Sequence, residues 1–368
     1  MKLLQIERDA LLSPLQAVTG IVEKRHTLPI LSNVLIERKS DKLNLIATDL
    51  EIQITTSCDV GGKADDQSLT LSARKLQDIL RSLPEGSETT LDLQANKVQL
   101  KAGKSRFNLQ TMPADDFPKM ANAGDRQAGF SISQKLLQEL LLLVQFAMAQ
   151  QDIRYYLNGL LLVLDGDKIK VVATDGHRLS YAEGKLDGAS DKREVILPRK
   201  AVLELSRQLG STDAAVDIEI YASQVRFRYG DSELITKVID GKFPDYTRVI
   251  PVNYQQKITV NRQDLLHSLQ RAAILSNEKF RGVRWMLTAD SLRISCTNTE
   301  QEEAQEEMEV NYNGDALDVG FNITYLLDVL NNVSNENVEC AFGDANSSML
   351  ITLPGRTDFR YVVMPMRI

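Results

Sequence analysis

Three cysteines in 368 residues, Cys58, Cys296 and Cys340, are too few and too far apart for a disulfide framework or a cysteine zinc site. Their scarcity fits a reducing compartment, so a cytoplasmic protein is expected. Three histidines, His26, His177 and His267, share no metal-ligand spacing, and neither a metal nor any other cofactor is expected. The apolar run Leu140–Val144 is five residues long, where roughly 20 are needed to span a bilayer, so no membrane partner is expected. The first residues, Met1 to Asp9, meet charge too early for a secretory hydrophobic segment. No G-x-S-x-G, Walker A, G-x-G-x-x-G or H-E-x-x-H pattern is present. What remains is an ordinary globular balance, 43% hydrophobic and 25% charged, with a net charge of −7.

What the chain has is repetition. A strand ending in a polar turn recurs as Leu45–Asp49, Val171–Asp175 and Ile294–Asn298. A helix with a leucine pair recurs at Leu11-Leu12, Leu136-Leu137 and Leu265-Leu266. A second helix is expected at Ser72–Leu83, Pro198–Leu209 and Asn322–Val333, with apolar residues such as Leu76, Ile79, Leu80 and Leu83 at helical spacing. A closing strand follows at Asn108–Met112, Leu234–Val238 and Arg360–Met364, aligned on Met112, Val238 and Met364. The period of about 125 residues is too long for a solenoid unit, so each copy is a domain. Boundaries fall at the polar connectors Ala121–Gln127 and Pro251–Gln256, giving domains 1–125, 126–251 and 252–368. The alternating stretches Val98–Leu109 and Val216–Val225 favour antiparallel pairs. The expected class is α+β: three similar domains, each with two helices packed on antiparallel sheets. Gly61–Ser68 and Glu183–Glu194 read as internal loops.

Charge is shared unequally among the three domains, net −1, 0 and −6 in order. Basic side chains gather at Lys97, Lys101, Lys104 and Arg106, beside the apolar Phe107 and Leu109. Acidic ones gather at Glu300, Glu302, Glu303, Glu306, Glu307 and Glu309, interrupted by Gln305. The apolar Ile274 and Leu275 end the long helix of the same domain. Two solvated faces would explain both clusters; head-to-tail contact between copies would neutralise them. Arg74, Lys75 and Arg81, then Arg199, Lys200 and Arg207, mark the second helices, and Lys24-Arg25 follows the first. Exposed helix faces or phosphate contact without sequence readout both fit. The stretch Gln151–Tyr156 adds hydrogen-bonding and aromatic groups. Asp175, His177 and Arg178 are the one group resembling a hydrolase or transferase site. The recurrence of Thr-Asp as Thr48-Asp49 without a histidine favours a structural turn instead.

Longer stretches carry a family resemblance: Thr27–Leu31, Gln151–Gly159, Ala173–Leu179, Phe243–Tyr246, Ala272–Arg284 and Tyr361–Ile368. Over the whole chain the sequence resembles the bacterial sliding clamps, the beta subunits of DNA polymerase III. The resemblance implies a non-catalytic processivity factor for DNA replication and repair: a head-to-tail homodimeric ring that encircles duplex DNA without reading its sequence. It implies binding of the polymerase III alpha subunit, the clamp loader delta subunit, other polymerases and repair proteins through short peptides with apolar anchors and, in many, a glutamine. A size estimate agrees. A domain of this length is about 35 Å across, and six touching in a ring leave a hole of about 35 Å, whereas three leave only about 5 Å.

Carried over by position, the resemblance assigns DNA contact to Arg25, Arg74, Gln151, Tyr155, Tyr156 and Lys200. It assigns one wall of the peptide cleft to Leu157, Thr174, Gly176, His177, Arg178 and Leu179, and another to Pro244, Arg248 and Val249. Asn322, Tyr325 and Ser348 join them, with the C-terminal Val362, Val363, Met364, Pro365, Met366, Arg367 and Ile368. The family has a small aliphatic residue where this chain has Asn346. The dimer interface falls to Lys97, Lys104, Arg106, Phe107 and Leu109 against Ile274, Leu275, Glu300, Glu302, Glu303 and Glu306.

Overall fold

Each second helix is one residue shorter at both ends than its expected span, because the outer residues are caps rather than turns of helix. The computed structural model describes residues 2–23, 27–61, 65–94, 96–121 and 123–368. Its α-helices are α1 (Arg8–Thr19), α2 (Ala73–Ser82), α3 (Gln134–Val144), α4 (Arg199–Gln208), α5 (Arg262–Ala273) and α6 (Ile323–Asn332). The Asn322 side chain accepts from Thr324 N at the start of α6, and Asn261 accepts from Gln263 N and Asp264 N at the start of α5. In α2 the buried stripe is Leu76 and Leu80, leaving Arg74 and Arg81 exposed.

The chain divides into two compact units, Met1–Leu137 with Leu203–Val238, and Gln138–Val202 with Ile239–Ile368. The division passes through α3 and α4, so the middle repeat supplies strands to both. In the first unit twelve strands form one antiparallel sheet, eight from the first repeat and four from the middle one. They meet where Ser232–Lys237 pairs with Ile52–Asp59, Leu234 opposite Ile54. In the second unit a six-stranded sheet is joined the same way, Phe359–Val363 pairing with Arg178–Pro198, Tyr361 opposite Ser180. A separate four-stranded sheet ends on Glu303–Glu309, which pairs only with Ser291–Thr297.

The two junctions are the same structure. Lys237 N donates to Glu51 O and Met364 N to His177 O, each at 2.9 Å. Lys237, rather than Val238, is therefore the counterpart of Met364. Matching the hairpins Ala102↔Ser105 and Tyr229↔Ser232 makes Gln110 its counterpart in the first repeat, where Met112 was expected. The closing strand of the first repeat, Ser105–Met112, pairs with Lys97–Ala102 over most of its length. On its other side only Thr111 and Met112 are paired, with Gln67–Ser72.

The expected loop Glu183–Glu194 is partly paired within the strand Arg178–Pro198. Glu183, Gly184 and Lys185 lie opposite Lys170, Ile169 and Lys168, and Arg193 and Glu194 lie opposite Leu164 and Val163. Between them only Ser190 is paired, with Gly166, the register shifting on both sides. The charges that suggested a loop are met in ion pairs, Lys168 with Glu183 and Lys192 with Glu194. Of Gly61–Ser68, residues 62–64 lie outside the described residues and a strand begins at Gln67. Strands start at Ala128, just after the first connector, and at Gln256, the last residue of the second.

Among the described residues no helix is long and apolar enough to cross a membrane, and no group of three or more His, Cys, Asp or Glu is placed to hold a metal ion. Burial pushes the Cys296 thiol up to about 11 and the Cys340 thiol up to about 12. A raised pKa leaves less thiolate, the reactive form, at any pH below it. Both are therefore expected to stay unlabelled by a thiol reagent at pH 8 in the folded chain and to label fully in denaturant, counted by mass spectrometry.

Candidate functional site

The repeated turn builds the site. Asp49 Oδ1 accepts from Glu51 N at 3.0 Å and Ile52 N at 2.8 Å. Asp175 Oδ1 accepts from His177 N at 2.9 Å and Arg178 N at 3.1 Å. Thr48 and Thr174 close the turns, donating to Ile52 O and Arg178 O and accepting from Leu50 N and Gly176 N. In the third repeat Asn298 Oδ1 accepts from Glu300 N and Glu302 N, one residue further on. The equivalent residues Leu50 and Gly176 both have positive φ, +76° and +90°. That conformation costs nothing at glycine and is unusual for leucine.

Beside the middle turn lies a largely apolar cavity of about 270 Å³. The structure brings together Leu157, Thr174, Gly176, His177, Arg178, Leu179, Pro244, Val249, Ser348, Val362 and Met364 in its lining. Beneath it Leu161, Val163, Val172, Ile196 and Phe243 form the supporting core with Leu179 and Val362. Sequence reasoning did not place Arg154, Phe243 and Tyr246 in the site, and it gave Tyr156 to DNA; all four line the cavity. Phe243 and Tyr246 belong to the Phe-Pro stretch already singled out, so proximity to Pro244 was the available signal. Arg154 had none: it is fixed by Asp152, at 2.8 and 3.0 Å, and donates to Asp175 O at 3.2 Å. Those bonds hold the Asp152 carboxyl at about 2, well below the usual carboxylate range.

Arg178 ties the turn to the third repeat. Its guanidinium donates to Asp175 Oδ2 at 3.1 Å, Asp328 Oδ2 at 2.5 Å and Phe146 O at 2.6 Å, and lies 4.4 Å from the Tyr325 ring centre. Tyr361 O–H donates to Tyr325 O at 2.9 Å, and burial pushes its phenol well up, so it stays a donor. With Asp175 taken by Arg178 and two backbone N–H groups, it does not orient the exposed His177 ring. The hydrolase arrangement is therefore not assembled.

Other expected cleft residues stand apart from the lining. Tyr325 supports Arg178 from below. Asn322 caps α6. Arg248 is exposed and paired with Asp245 at 2.9 Å. Val363 is fully buried, because strand alternation turns it away from the side shown by Val362 and Met364. Pro365, Met366, Arg367 and Ile368 continue past the cavity, and Met366 N bonds Gly320 O instead. Asn346 is exposed in a turn, its N–H on Asp344.

Of the residues assigned to DNA, Arg25 lies outside the described residues. Arg74 joins Arg81 and Arg207 around a polar cavity of about 430 Å³, with Gln16, Thr19, Gly20 and Gln77. Gln151 and Tyr155 are exposed in the second unit, and Lys200 is half-buried on α4. At the expected interface, Lys104 and Arg106 are exposed, Phe107 and Leu109 half-buried, Ile274 exposed and Leu275 half-buried. Lys97, Glu300, Glu302 and Glu303 are exposed, whereas Glu306 is half-buried and paired with Arg271 of its own chain.

Family models of the DNA polymerase III beta subunit match the chain in three pieces: N-terminal domain, residues 1–121; central domain, 131–245; C-terminal domain, 247–367. The chain belongs to the DNA polymerase III beta subunits, the bacterial sliding clamps. It is 45% identical over 366 residues to the beta sliding clamp of Pseudomonas aeruginosa and 41% over 363 to that of Escherichia coli, covering 99% of each chain. A crystal structure of the Pseudomonas aeruginosa subunit matches with a TM-score of 0.95 at 45% identity, over 100% of both chains. One bound to griselimycin matches equally well over 99% of both. The fold is thus three clamp domains of helices on antiparallel sheets, and the family's function is non-catalytic.

At Gly176 an added Cβ would meet the Arg154 guanidinium at 2.9 Å. Gly176→Leu, which installs the residue of the first repeat, is expected to close this end of the cavity. Peptide affinity should fall at least tenfold by calorimetry while the oligomeric state is unchanged.

Proposed function

We propose that the chain is the processivity clamp of a bacterial replication machine, acting in the cytoplasm as two copies closed head-to-tail around duplex DNA. The observation that carries this reading is the pair of internal junctions. Each seats a closing strand against the strand that follows the Thr-Asp turn of the preceding repeat. One closing strand, Ser105–Met112, is left with an unpaired stretch, and one strand after the turn, Glu303–Glu309, with an unpaired edge. Exposed edges of this kind are templates for pairing. Transferring the internal register puts Phe107 opposite Ala304 and Arg106 opposite Gln305, between Glu303 and Glu307 on the same face. The basic edge then meets the acidic one, and Ile274 beside it covers the half-buried Phe107 and Leu109.

The cleft takes short partner peptides: apolar anchors on Leu179, Val249, Val362 and Met364, polar groups at the His177 rim. Polymerase III alpha, the loader delta subunit and other polymerases and repair proteins share it. Only the middle turn is opened by glycine, so a dimer offers two sites. DNA contact is with phosphates, through the Arg74, Arg81 and Arg207 cluster and the exposed Gln151 and Tyr155. Such contacts carry no sequence readout, which suits sliding.

Replacing Ile274 and Leu275 by alanine should yield monomers at nanomolar concentration in sedimentation, since losing a buried aliphatic costs about 2–5 kcal/mol. An unchanged dimer would defeat the head-to-tail reading. Lys104→Glu with Arg106→Glu should weaken the dimer less, as exposed pairs contribute under about 1 kcal/mol. Separately, Arg74→Ala with Gln151→Ala should weaken DNA binding while sparing peptide binding. The defect should shrink as salt rises, because counterion release drives phosphate contacts; a salt-independent loss would contradict it.

A further inference from the structure

The C-terminal tail is held at two points. Met364 N donates to His177 O at 2.9 Å, at the cleft; Met366 N donates to Gly320 O at 2.8 Å, bridging to the edge strand of the four-stranded sheet. Pro365 between them has a fixed φ, which makes the link stiff. Gly320 sits inside the strand Leu317–Asn322, where glycine weakens a sheet and its φ is not of the left-handed kind. Space explains it. A Cβ there would stand 2.5 Å from Met366 O and 2.6 Å from Ile368 Cδ1. Gly282, on the neighbouring strand, lies beside the same side chain but is not required to be glycine: its Cβ would meet Ile368 at 3.4 Å, an ordinary contact.

We propose that Gly320 is a positioning element of the partner cleft: a seat for Met366 and Ile368 that fixes Met364 as a cleft wall. The inference rests on the peptide reading of the cleft and adds residues outside it. Met364 is half exposed and has no packed partner on its solvent side, so its position is set by its backbone. Met366 and Ile368 are outside the lining of the cavity. They act through Met364.

The test uses the full chain with Gly320→Ala, and a second variant lacking residues 366–368, which alters no residue of the sheet itself. The probe is a synthetic peptide with one glutamine and two large apolar anchors. Gly320→Ala is expected to speed amide exchange at Met366 at least tenfold, with exchange in α6 unchanged. Both variants are expected to bind the peptide about tenfold more weakly than the parent chain, with one site per chain retained. Parental exchange at Met366 in Gly320→Ala overturns the seat. Faster exchange with parental peptide affinity in both variants overturns its role in the cleft. A parent chain that binds no peptide removes the cleft reading itself, while the exchange measurement still decides whether Gly320 seats the tail. Should Gly320→Ala fail to fold, parental affinity in the truncated chain is enough to reject the proposal.

Discussion

A single carboxylate oxygen accepting two backbone N–H groups organises everything around the cleft. Asp175 Oδ1 holds His177 and Arg178 in a tight turn, and three consequences follow from that geometry. The residue between must take a positive φ, which admits glycine and leaves one side of the turn open. The His177 carbonyl is turned outward to receive Met364 N, starting the strand junction. Arg178 is brought back over Asp175 and reaches Asp328 and Tyr325, so the turn is fastened to the third repeat. In the first repeat Asp49 makes the same bonds, and Glu51 O receives Lys237 N, but Leu50 stands where the opening would be. One turn thus serves as a joint in two places and as a binding site in one.

Much of this was legible because the repeat is written in side chains with local duties. The Thr-Asp turns, the helical leucines and the caps at Asn322 and Asn261 act within a few residues of themselves, so their spacing survives in sequence. All six helices fell where periodicity put them. Of the residues assigned to the cleft by resemblance, those on the turn and its neighbouring segments, Leu157, Leu179, Pro244, Val362 and Met364 among them, do come together around one cavity.

What failed to show depended on distant partners. Glu183–Glu194 read as a loop because its charges and glycines look like one; its two ends pair with the preceding strand, where Lys168 meets Glu183. The closing strands were aligned one residue out at Val238 and two at Met112, since apolar residues alternate only approximately and the backbone bond at Lys237 leaves no mark on the side chain. Arg154 enters the site through Asp152 and the Asp175 carbonyl, neither of which announces it. Met366 and Ile368 sit near Met364 in sequence yet follow the Gly320 backbone away from the cavity.

The unpaired edges carry one more implication, about assembly size. A molecule with one donor edge and one acceptor edge is a monomer in the chemist's sense, and nothing in the pairing itself limits how many join. Whether copies close into a ring or run on as a filament is decided by the angle turned at each joint. In this fold the internal joints and the proposed external one use the same strand pairing, so the angle set at one joint is the angle expected at the others. Altering the angle at an internal joint, by crowding Ile54 against Leu234 for example, would change the number of copies in the product while every surface contact stayed intact.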